Sequence, residues 1–346
     1  HYTTTDPTIS TRSAAGAATA DVATAVADRR AGAADGAVAT ESNDSRLPPQ
    51  LRDLFRENGV IIPRHWDVSH TSREQGARFA AVYERIASAD SAPFVAGQLQ
   101  GERVIRTLRR RLPIAARVDE DLTLPFPIPL GLEDIIQAGT IVGGHDSARR
   151  ARATPEMIRE FEKVITSKAV RVASECNFWC PMFTVEQHDK HRLIFDLRAF
   201  NQFGLDPHFK METIADVPTF AAGGRFMCKL DLRSAFWQYP VNSELASYLG
   251  TSDPRDPTNL YQWQCLPMGL ARSPLVWSAT MGRFVNAWRK AGLRVMIYID
   301  DILIVSDTVN ELASAVEAVV HDLIDAGIRI SSSKSFIAPF RVLDFL

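Results

Sequence analysis

The stretch Val295-Met-Ile-Tyr-Ile-Asp300-Asp301-Ile-Leu-Ile-Val305 decides the fold of this chain. Two adjacent acids interrupt a run of apolar, mostly β-branched residues, which predicts strands over residues 295–299 and 302–305 joined at the acids. Aspartate suits turn conformations, so a simple hairpin turn also explains the pair. Whether these acids do more depends on the rest of the chain.

A third acid, Asp231, lies in a segment where apolar residues alternate. One face of this segment carries Phe226, Cys228, Leu230 and Leu232, and the other carries Lys229 and Asp231. The period of two predicts a half-buried strand that presents a carboxylate. Three carboxylates in a mostly apolar sheet repel one another and lose hydration, so they need cations. Mg²⁺ prefers oxygen ligands and is held by one or two carboxylates together with substrate phosphates.

Composition restricts the class of protein. The chain has 346 residues, of which 46% are hydrophobic and 23% charged, as in ordinary globular proteins with a sizeable core. Its net charge of −2 is unusual for a nucleic-acid enzyme, so any phosphate-binding surface must be local. The basic run at 109–111 is interpreted as a solvated helix face rather than a phosphate contact.

The spacing of the cysteines and the lengths of the apolar runs indicate in which cellular compartment the protein is expected. The four cysteines fit neither a disulfide scaffold nor a zinc site, which favours reduced thiols. No segment reads as a membrane span or a signal peptide. The protein is therefore expected to be soluble and intracellular, without a membrane partner.

Three regions follow from composition. Residues 1–45 are dominated by small and polar residues and are predicted to be disordered. Residues 46–154 are a mixed helical and linker region of unknown role, with helices near 73–88 and 98–112. A helix starts at Thr154-Pro155, and the chain from 155 to 346 is predicted to be one α+β domain. Because the chain starts at His1 and stops in an apolar segment, it is expected to be a fragment of a polyprotein.

Three motifs, in order, resemble motifs A, B and C of reverse transcriptases. They are Lys229-Leu-Asp231-Leu-Arg-Ser-Ala-Phe236, Leu266-Pro-Met-Gly269 with Ser273-Pro274, and Tyr298-Ile-Asp300-Asp301. Upstream, Pro181-Met-Phe183 and Arg192-Leu-Ile-Phe-Asp196-Leu-Arg198-Ala-Phe-Asn201 resemble the fingers strands. Downstream, Lys334 and Phe345-Leu346 match the motif D lysine and the start of the primer grip.

This resemblance covers about residues 155–346 and implies the fingers and palm of a right-hand polymerase. The palm would be a ferredoxin-like antiparallel sheet backed by helices, with the thumb missing. The segment His208-Phe-Lys-Met-Glu-Thr213 is most similar to tyrosine-recombinase retrotransposons of the DIRS and VIPER type. Such elements encode an RNase H and a recombinase elsewhere.

The resemblance also implies the chemistry of the site. Asp231 and Asp300 would be the principal metal ligands and Asp301 the third catalytic acid, together holding two Mg²⁺ ions, with Mn²⁺ as an alternative. Phe236 falls where the family places a steric gate against the ribose 2′-hydroxyl, although a core phenylalanine would also explain it. Arg192 matches the triphosphate-binding arginine, and its guanidinium suits phosphate oxygens.

Other site residues follow from the same motifs. The remaining nucleotide-binding candidates are Lys190, Met268, Gly269 and Lys334. The nucleic-acid-binding candidates are Tyr298, Pro267 and Ser273. The family usually carries a fingers lysine a few residues before the arginine, and Lys190 is the only substitute for it in this chain. Lys334 is either a general acid toward pyrophosphate or an ordinary surface lysine.

The implied function is that of a retrotransposon reverse transcriptase, an RNA-directed DNA polymerase. Its partners would be an RNA template, a DNA or RNA primer and deoxynucleoside triphosphates, in a cytoplasmic or nuclear ribonucleoprotein. Two alternatives remain. One is an inactive or domesticated domain that only binds nucleic acid, and the other is an RNA-dependent RNA polymerase, in which an acid usually stands where Phe236 does.

Overall fold

The protein was analysed as a computed structural model, which describes residues 71–111, 153–187, 190–204 and 209–341. The helices are α1 (Arg73–Ser91), α2 (Gly101–Arg111), α3 (Pro155–Thr166), α4 (Arg198–Asn201), α5 (Val217–Ala221), α6 (Ala235–Gln238), α7 (Ser243–Ala246), α8 (Ser273–Lys290) and α9 (Val309–Ala326). The strands are β1 (Val170–Val172), β2 (Met182–Gln187), β3 (Lys190–Phe195), β4 (Phe226–Asp231), β5 (Gly250–Ser252), β6 (Leu260–Trp263), β7 (Arg294–Tyr298), β8 (Asp301–Ser306) and β9 (Phe336–Arg341). This α+β composition confirms the predicted fold class.

A four-stranded antiparallel sheet in the order β7-β8-β4-β9 positions the acids. Helix α8 packs on β7, and helix α9 packs on β8 and β4. A three-stranded sheet, β1-β6-β5, combines one strand that precedes Asp231 with two strands that follow it. Hairpin β2-β3 precedes Asp231 in the sequence. The predicted antiparallel sheet backed by helices is confirmed.

The burial of β4 differs from the sequence prediction. Cys228 and Leu230 are fully buried in the main core, as expected, but Met227 is also fully buried and packs with Ala221 and Val305 in a second cluster. Asp231 is only 6% exposed. The prediction of a half-buried strand was wrong, because β4 is a central strand between β8 and β9 and both of its faces are covered.

The helix boundaries follow local capping rules. Met157 N–H donates to Thr154 Oγ1 at 3.1 Å at the start of α3, as predicted from Thr154-Pro155. Thr308 and Glu311 form the predicted capping box of α9. Gly327 ends this helix with φ +84°, which is the left-handed cap that glycine adopts without strain.

Helices α1 and α2, near the predicted positions, pack on α9 through arginines. Arg78 donates two hydrogen bonds to Glu317, at 2.8 and 2.7 Å. Arg111 donates two to the buried Asp322, at 2.6 and 3.0 Å, and Trp288 Nε1 donates to the same carboxylate at 2.9 Å. Arg110 pairs with Asp325. The solvated-face interpretation was therefore wrong for Arg111, which pairs with a buried acid of α9, whereas Arg110 stays on the exposed face with 56% of its side chain accessible.

Several predicted features lie outside the described residues. They are the 1–45 segment, residues 46–70 and 112–152 of the mixed helical and linker region, His208 and the terminal Phe345-Leu346. Within the ranges that the structure does describe, no helix is long and apolar enough to cross a membrane. All four cysteines are free thiols, as predicted.

Candidate active site

The sheet brings the predicted acids to one end of neighbouring strands. Asp231, the last residue of β4, lies directly opposite Asp301, the first residue of β8, so both side chains leave the same face. Asp300 lies in the two-residue turn between β7 and β8. Leu232 N–H donates to Asp300 O at 2.7 Å and ties the turn to the end of β4.

The turn is held in a strained conformation. Ile299, its first central residue, has φ +52°, which a β-branched residue rarely adopts. Two neighbours restrain it: Trp277 Nε1 of α8 donates to Ile299 O at 2.8 Å, and Leu232 fixes the next carbonyl. Backbone strain of this kind persists only where the surrounding structure imposes it, and it is concentrated at functional sites.

Two of the acids, Asp231 and Asp300, have raised pKa values. Burial raises the pKa of Asp231 to about 6; Lys334 opposes this shift, while Asp300 and Asp301 add to it. Burial and the charge of Asp301 also raise the pKa of Asp300 above its usual value. These shifts mean that the folded chain keeps negative charge here at a cost, which a bound cation would remove.

Two lysines lie beside the acids without satisfying them. Lys229 Nζ lies 2.8 Å from Asp301 Oδ1, and Lys334 Nζ lies 3.5 Å from Asp231 Oδ1. Both oxygens are nevertheless buried, and neither accepts a hydrogen bond from the described residues. Buried oxygens without donors are the kind of ligand that a divalent cation takes, so the residues fit Mg²⁺.

The three acidic side chains do not form a compact set of metal ligands in this structure. In the parts of the chain open to description, no three His, Cys, Asp or Glu side chains are grouped closely enough to hold a metal ion. Asp301 lies beside Lys229, and Asp231 lies beside Lys334. The assignment of all three acids as ligands stays a prediction.

The backbone of Asp231 is fixed by a serine-rich loop. Asp231 N–H donates to Ser335 Oγ at 3.0 Å, and Ser331 N–H donates to Asp231 O at 2.7 Å. Sequence reasoning missed both serines, since a run of serines before a strand is typical of an ordinary loop. Lys334, between them, has a side chain that is 66% exposed.

Gly269 sits where fingers and palm elements meet. Its φ is +104°, and a Cβ built on it would lie 2.5 Å from Phe195 O. Asn201 of α4 donates to Gly269 O at 2.8 Å and accepts from Ala271 N–H at 3.0 Å. Glycine is therefore required here, and Asn201 fixes the loop that presents Met268, which is 43% exposed.

Two residues predicted to contact nucleic acid, Pro267 and Ser273, are buried inside the protein. Ser273 is fully buried, and its hydroxyl donates to Pro267 O at 2.9 Å; Pro267 is buried as well. Their side chains therefore stabilise the loop from inside, and direct contact with nucleic acid does not fit this structure. The Ser273 hydroxyl, at the start of α8, satisfies the buried carbonyl of Pro267 in the preceding loop.

The remaining candidates surround the acids less closely. Arg192 is exposed on β3, opposite Val185 of β2. Lys190 begins β3, and its side chain lies outside the described atoms. Phe236 is partly buried and packs against the core from α6, which leaves both of its interpretations open. Tyr298 is half-buried at the end of β7.

Comparisons with known proteins agree with this geometry. Residues 184–345 match the family model described as reverse transcriptase (RNA-dependent DNA polymerase). The Gag-Pro-Pol polyprotein of Human T-cell leukemia virus 3 is 29% identical over 46% of this chain and 12% of the polyprotein. The enzymatic polyprotein of Cestrum yellow leaf curling virus is 27% identical over 53% of this chain and 28% of that protein.

Solved structures show the same fold. The foamy viral protease-reverse transcriptase in complex with dsDNA has a TM-score of 0.57 at 16% identity, covering 84% of this chain and 52% of that one. Its complex with an RNA/DNA hybrid gives 0.55 at 16% identity, covering 84% and 33%. This chain thus spans only a minor part of its polyprotein relatives. Residues 184–345 form a reverse transcriptase domain, homologous to those of retroviral and pararetroviral polyproteins.

Proposed function

We propose that this chain catalyses RNA-directed DNA synthesis, adding deoxynucleotides to a DNA or RNA primer on an RNA template. One observation carries the proposal. Asp231 and Asp301 face each other across β4 and β8, with Asp300 in the adjoining turn, and two of their oxygens are buried without hydrogen bonds. No feature of the described residues favours a domain that only binds nucleic acid.

Asp231 and Asp300, with Asp301 as the third acid, would hold two Mg²⁺ ions, or Mn²⁺. Such ions activate the attacking 3′-hydroxyl and neutralise the leaving pyrophosphate. Because burial raises the pKa of Asp231 to about 6, its carboxylate would hold a cation more readily above that pH than below it. Arg192 and Lys190 would bind the triphosphate, and Lys334, whose ammonium lies 3.5 Å from Asp231, would act on the pyrophosphate.

Duplex binding is supported by the fold. The foamy viral enzymes of the same fold were solved with dsDNA and with an RNA/DNA hybrid. We extend these partners to this chain, with Met268 and Gly269 beside the nascent base pair and Tyr298 near the primer end. Deoxynucleoside triphosphates would be the substrates.

Primer extension on an RNA template tests the activity. It should be measured for residues 1–346, alone and joined to a reverse transcriptase thumb, with Mg²⁺ and with Mn²⁺. Asp231→Asn should abolish extension, while Asp307→Asn, which removes an exposed acid paired with Arg294, should not. Equal extension by Asp231→Asn and the wild type would refute the catalytic assignment.

Sugar selection separates the two polymerase classes. We propose that Phe236 excludes the ribose 2′-hydroxyl, so Phe236→Ala should raise ribonucleotide incorporation relative to deoxynucleotide incorporation. Asp231→Asn measures the background in the same assay. Unchanged selectivity in Phe236→Ala would assign the ring to the core, and a wild type that prefers ribonucleotides would indicate an RNA polymerase.

We further propose that the parent element is a tyrosine-recombinase retrotransposon of the DIRS or VIPER type. The similarity of residues 208–213 supports this. Its RNase H and recombinase would be encoded elsewhere, and the enzyme would act in a cytoplasmic or nuclear ribonucleoprotein with its RNA template. Sequencing the flanking locus tests the proposal, and a neighbouring integrase gene in place of a tyrosine recombinase would contradict it.

A further inference from the structure

Asp90, near the end of α1, joins three separate segments through one carboxylate. Its Oδ1 accepts from Arg233 Nη1 at 2.5 Å, and its backbone carbonyl accepts from the same nitrogen at 3.1 Å. Its Oδ2 accepts from Ser332 N–H at 2.9 Å and from Ser332 Oγ at 2.8 Å. Asp90 lies well before residue 184, where the match to the family model begins.

Both partners of Asp90 adjoin the candidate active site. Arg233 follows Asp231 by two residues. Ser332 belongs to the lysine loop, residues 331–335, whose ends are hydrogen-bonded to the backbone of Asp231 through Ser331 and Ser335. Lys334, in this loop, places its ammonium 3.5 Å from Asp231. Asp90 therefore holds the lysine loop at Ser332, between the two ends of the loop that contact β4.

The chemistry of Asp90 suits a fixed anchor. Its side chain is 11% exposed. Burial by itself would raise the pKa of Asp90, but the hydrogen bonds from Ser332 and Arg233 outweigh it and hold the pKa below its usual value. Arg233 also lies over the ring of Phe94, 5.7 Å from its centroid. Charge-assisted hydrogen bonds of this kind are stronger than neutral ones and define geometry.

We propose that Asp90 is a positioning residue of the polymerase site, which holds the lysine loop so that Lys334 faces Asp231. The helix that precedes the family domain would then be part of the active-site architecture as well as a brace for the palm. The proposal rests on the proposed function only in assigning a catalytic benefit to this geometry.

Asp90→Asn is the direct test, with Glu317→Gln as its matched control. Each change removes a carboxylate that joins α1 to the palm, but Glu317, on α9, pairs with Arg78 of α1 and does not contact the lysine loop. An amide has one acceptor atom where a carboxylate has two, so Asp90→Asn loses either Arg233 or Ser332. Ser332→Ala is a milder second variant that keeps the fold.

The first measurement is amide hydrogen exchange across the lysine loop in the full chain, without nucleic acid. Exchange should accelerate roughly tenfold or more in Asp90→Asn, less in Ser332→Ala, and not in Glu317→Gln. Unchanged exchange in Asp90→Asn would overturn the proposal. An equal increase in Glu317→Gln would also overturn it, since the effect would then be general loosening.

The second measurement is steady-state nucleotide incorporation. Asp90→Asn should lower kcat roughly tenfold with little change in KM, Asp90→Glu should recover part of the loss, and Lys334→Ala should make the Asp90 change nearly silent. Loop exchange that rises with kcat unchanged would refute the positioning role. A wild type that adds no nucleotides would refute the proposed function instead, while the exchange experiment would still decide whether Asp90 holds the loop.

Discussion

Two groups of carboxylates in this molecule have different hydrogen-bond partners. The paired acids, Asp90, Glu317 and Asp322, hold α1 and α2 against the palm, and each accepts several hydrogen bonds in which an arginine takes part. The strand acids, Asp231, Asp300 and Asp301, have two lysines nearby, but one buried oxygen of Asp231 and one of Asp301 accept no hydrogen bond from the described residues.

The two groups of acids differ in the type of basic side chain that lies beside them, which is arginine for the paired acids and lysine for the strand acids. The planar fork of arginine can satisfy both oxygens of a carboxylate, whereas a lysine ammonium is a point charge that leaves lone pairs available. The paired acids therefore stabilise the fold, and the strand acids are arranged to receive another cation. The four predictions below test this contrast.

The largest effect is expected at Asp231. Asp231→Asn should lower nucleotide incorporation by at least roughly a thousandfold, because the ions that it helps to hold contribute several kcal/mol to the transition state. Single-turnover primer extension measures this loss. The folded fraction, checked by circular dichroism, should not fall, and Asp307→Asn should retain full activity.

A large loss of stability is expected at Arg111. Arg111→Met leaves the buried Asp322 with Trp288 and without its cation, which should lower the free energy of unfolding by about 3–5 kcal/mol. Urea denaturation measures the change. Arg109→Met, on the exposed side of the same helix, should cost less than about 0.5 kcal/mol. Equal effects in the two variants would mean that the ion pair is unimportant.

The third effect depends on pH. Without divalent cations, the free energy of unfolding should fall as pH rises from about 4 to about 6, because folded Asp231 keeps its proton up to a pKa of about 6 while the unfolded chain releases it near 4. The fall should be about 2–3 kcal/mol. Asp231→Asn should remove most of it, and a part due to Asp300 should remain.

Urea denaturation at several pH values, with chelator and with Mg²⁺, measures this dependence. Saturating Mg²⁺ should reduce the loss of stability above pH 6, since it binds the ionised acids. Parallel profiles for the wild type and Asp231→Asn would show that Asp231 does not carry a raised pKa.

The smallest effect is expected at Lys229. Lys229→Met removes the partner of Asp301 and should lower the free energy of unfolding by about 1 kcal/mol in chelator. Saturating Mg²⁺ should restore stability, because a bound cation substitutes for the lysine. The loss in Arg111→Met should not respond to Mg²⁺. A loss in Lys229→Met that persists in Mg²⁺ would place Lys229 among purely structural residues.

Local sequence rules predicted much of this site. The hairpin that carries Asp300 and Asp301, the strand that carries Asp231 and the caps of α3 and α9 all follow from side-chain periodicity and capping within a few residues. The prediction was poorer where distant segments meet. Neither the burial of both faces of β4 nor the pairing of Arg111 with Asp322, 211 residues later, has a local signal.

The sequence by itself determined which acids stand at strand ends and in what order, because turn preference and strand alternation depend on neighbouring residues. Only the tertiary structure decided how each charge is compensated. Ser335 reaches the backbone of Asp231, and Asp90 reaches Ser332, across separations of 104 and 242 residues. Such contacts depend on how the helices pack on the sheet, and hydrogen bonds formed after packing leave no pattern in the adjacent sequence.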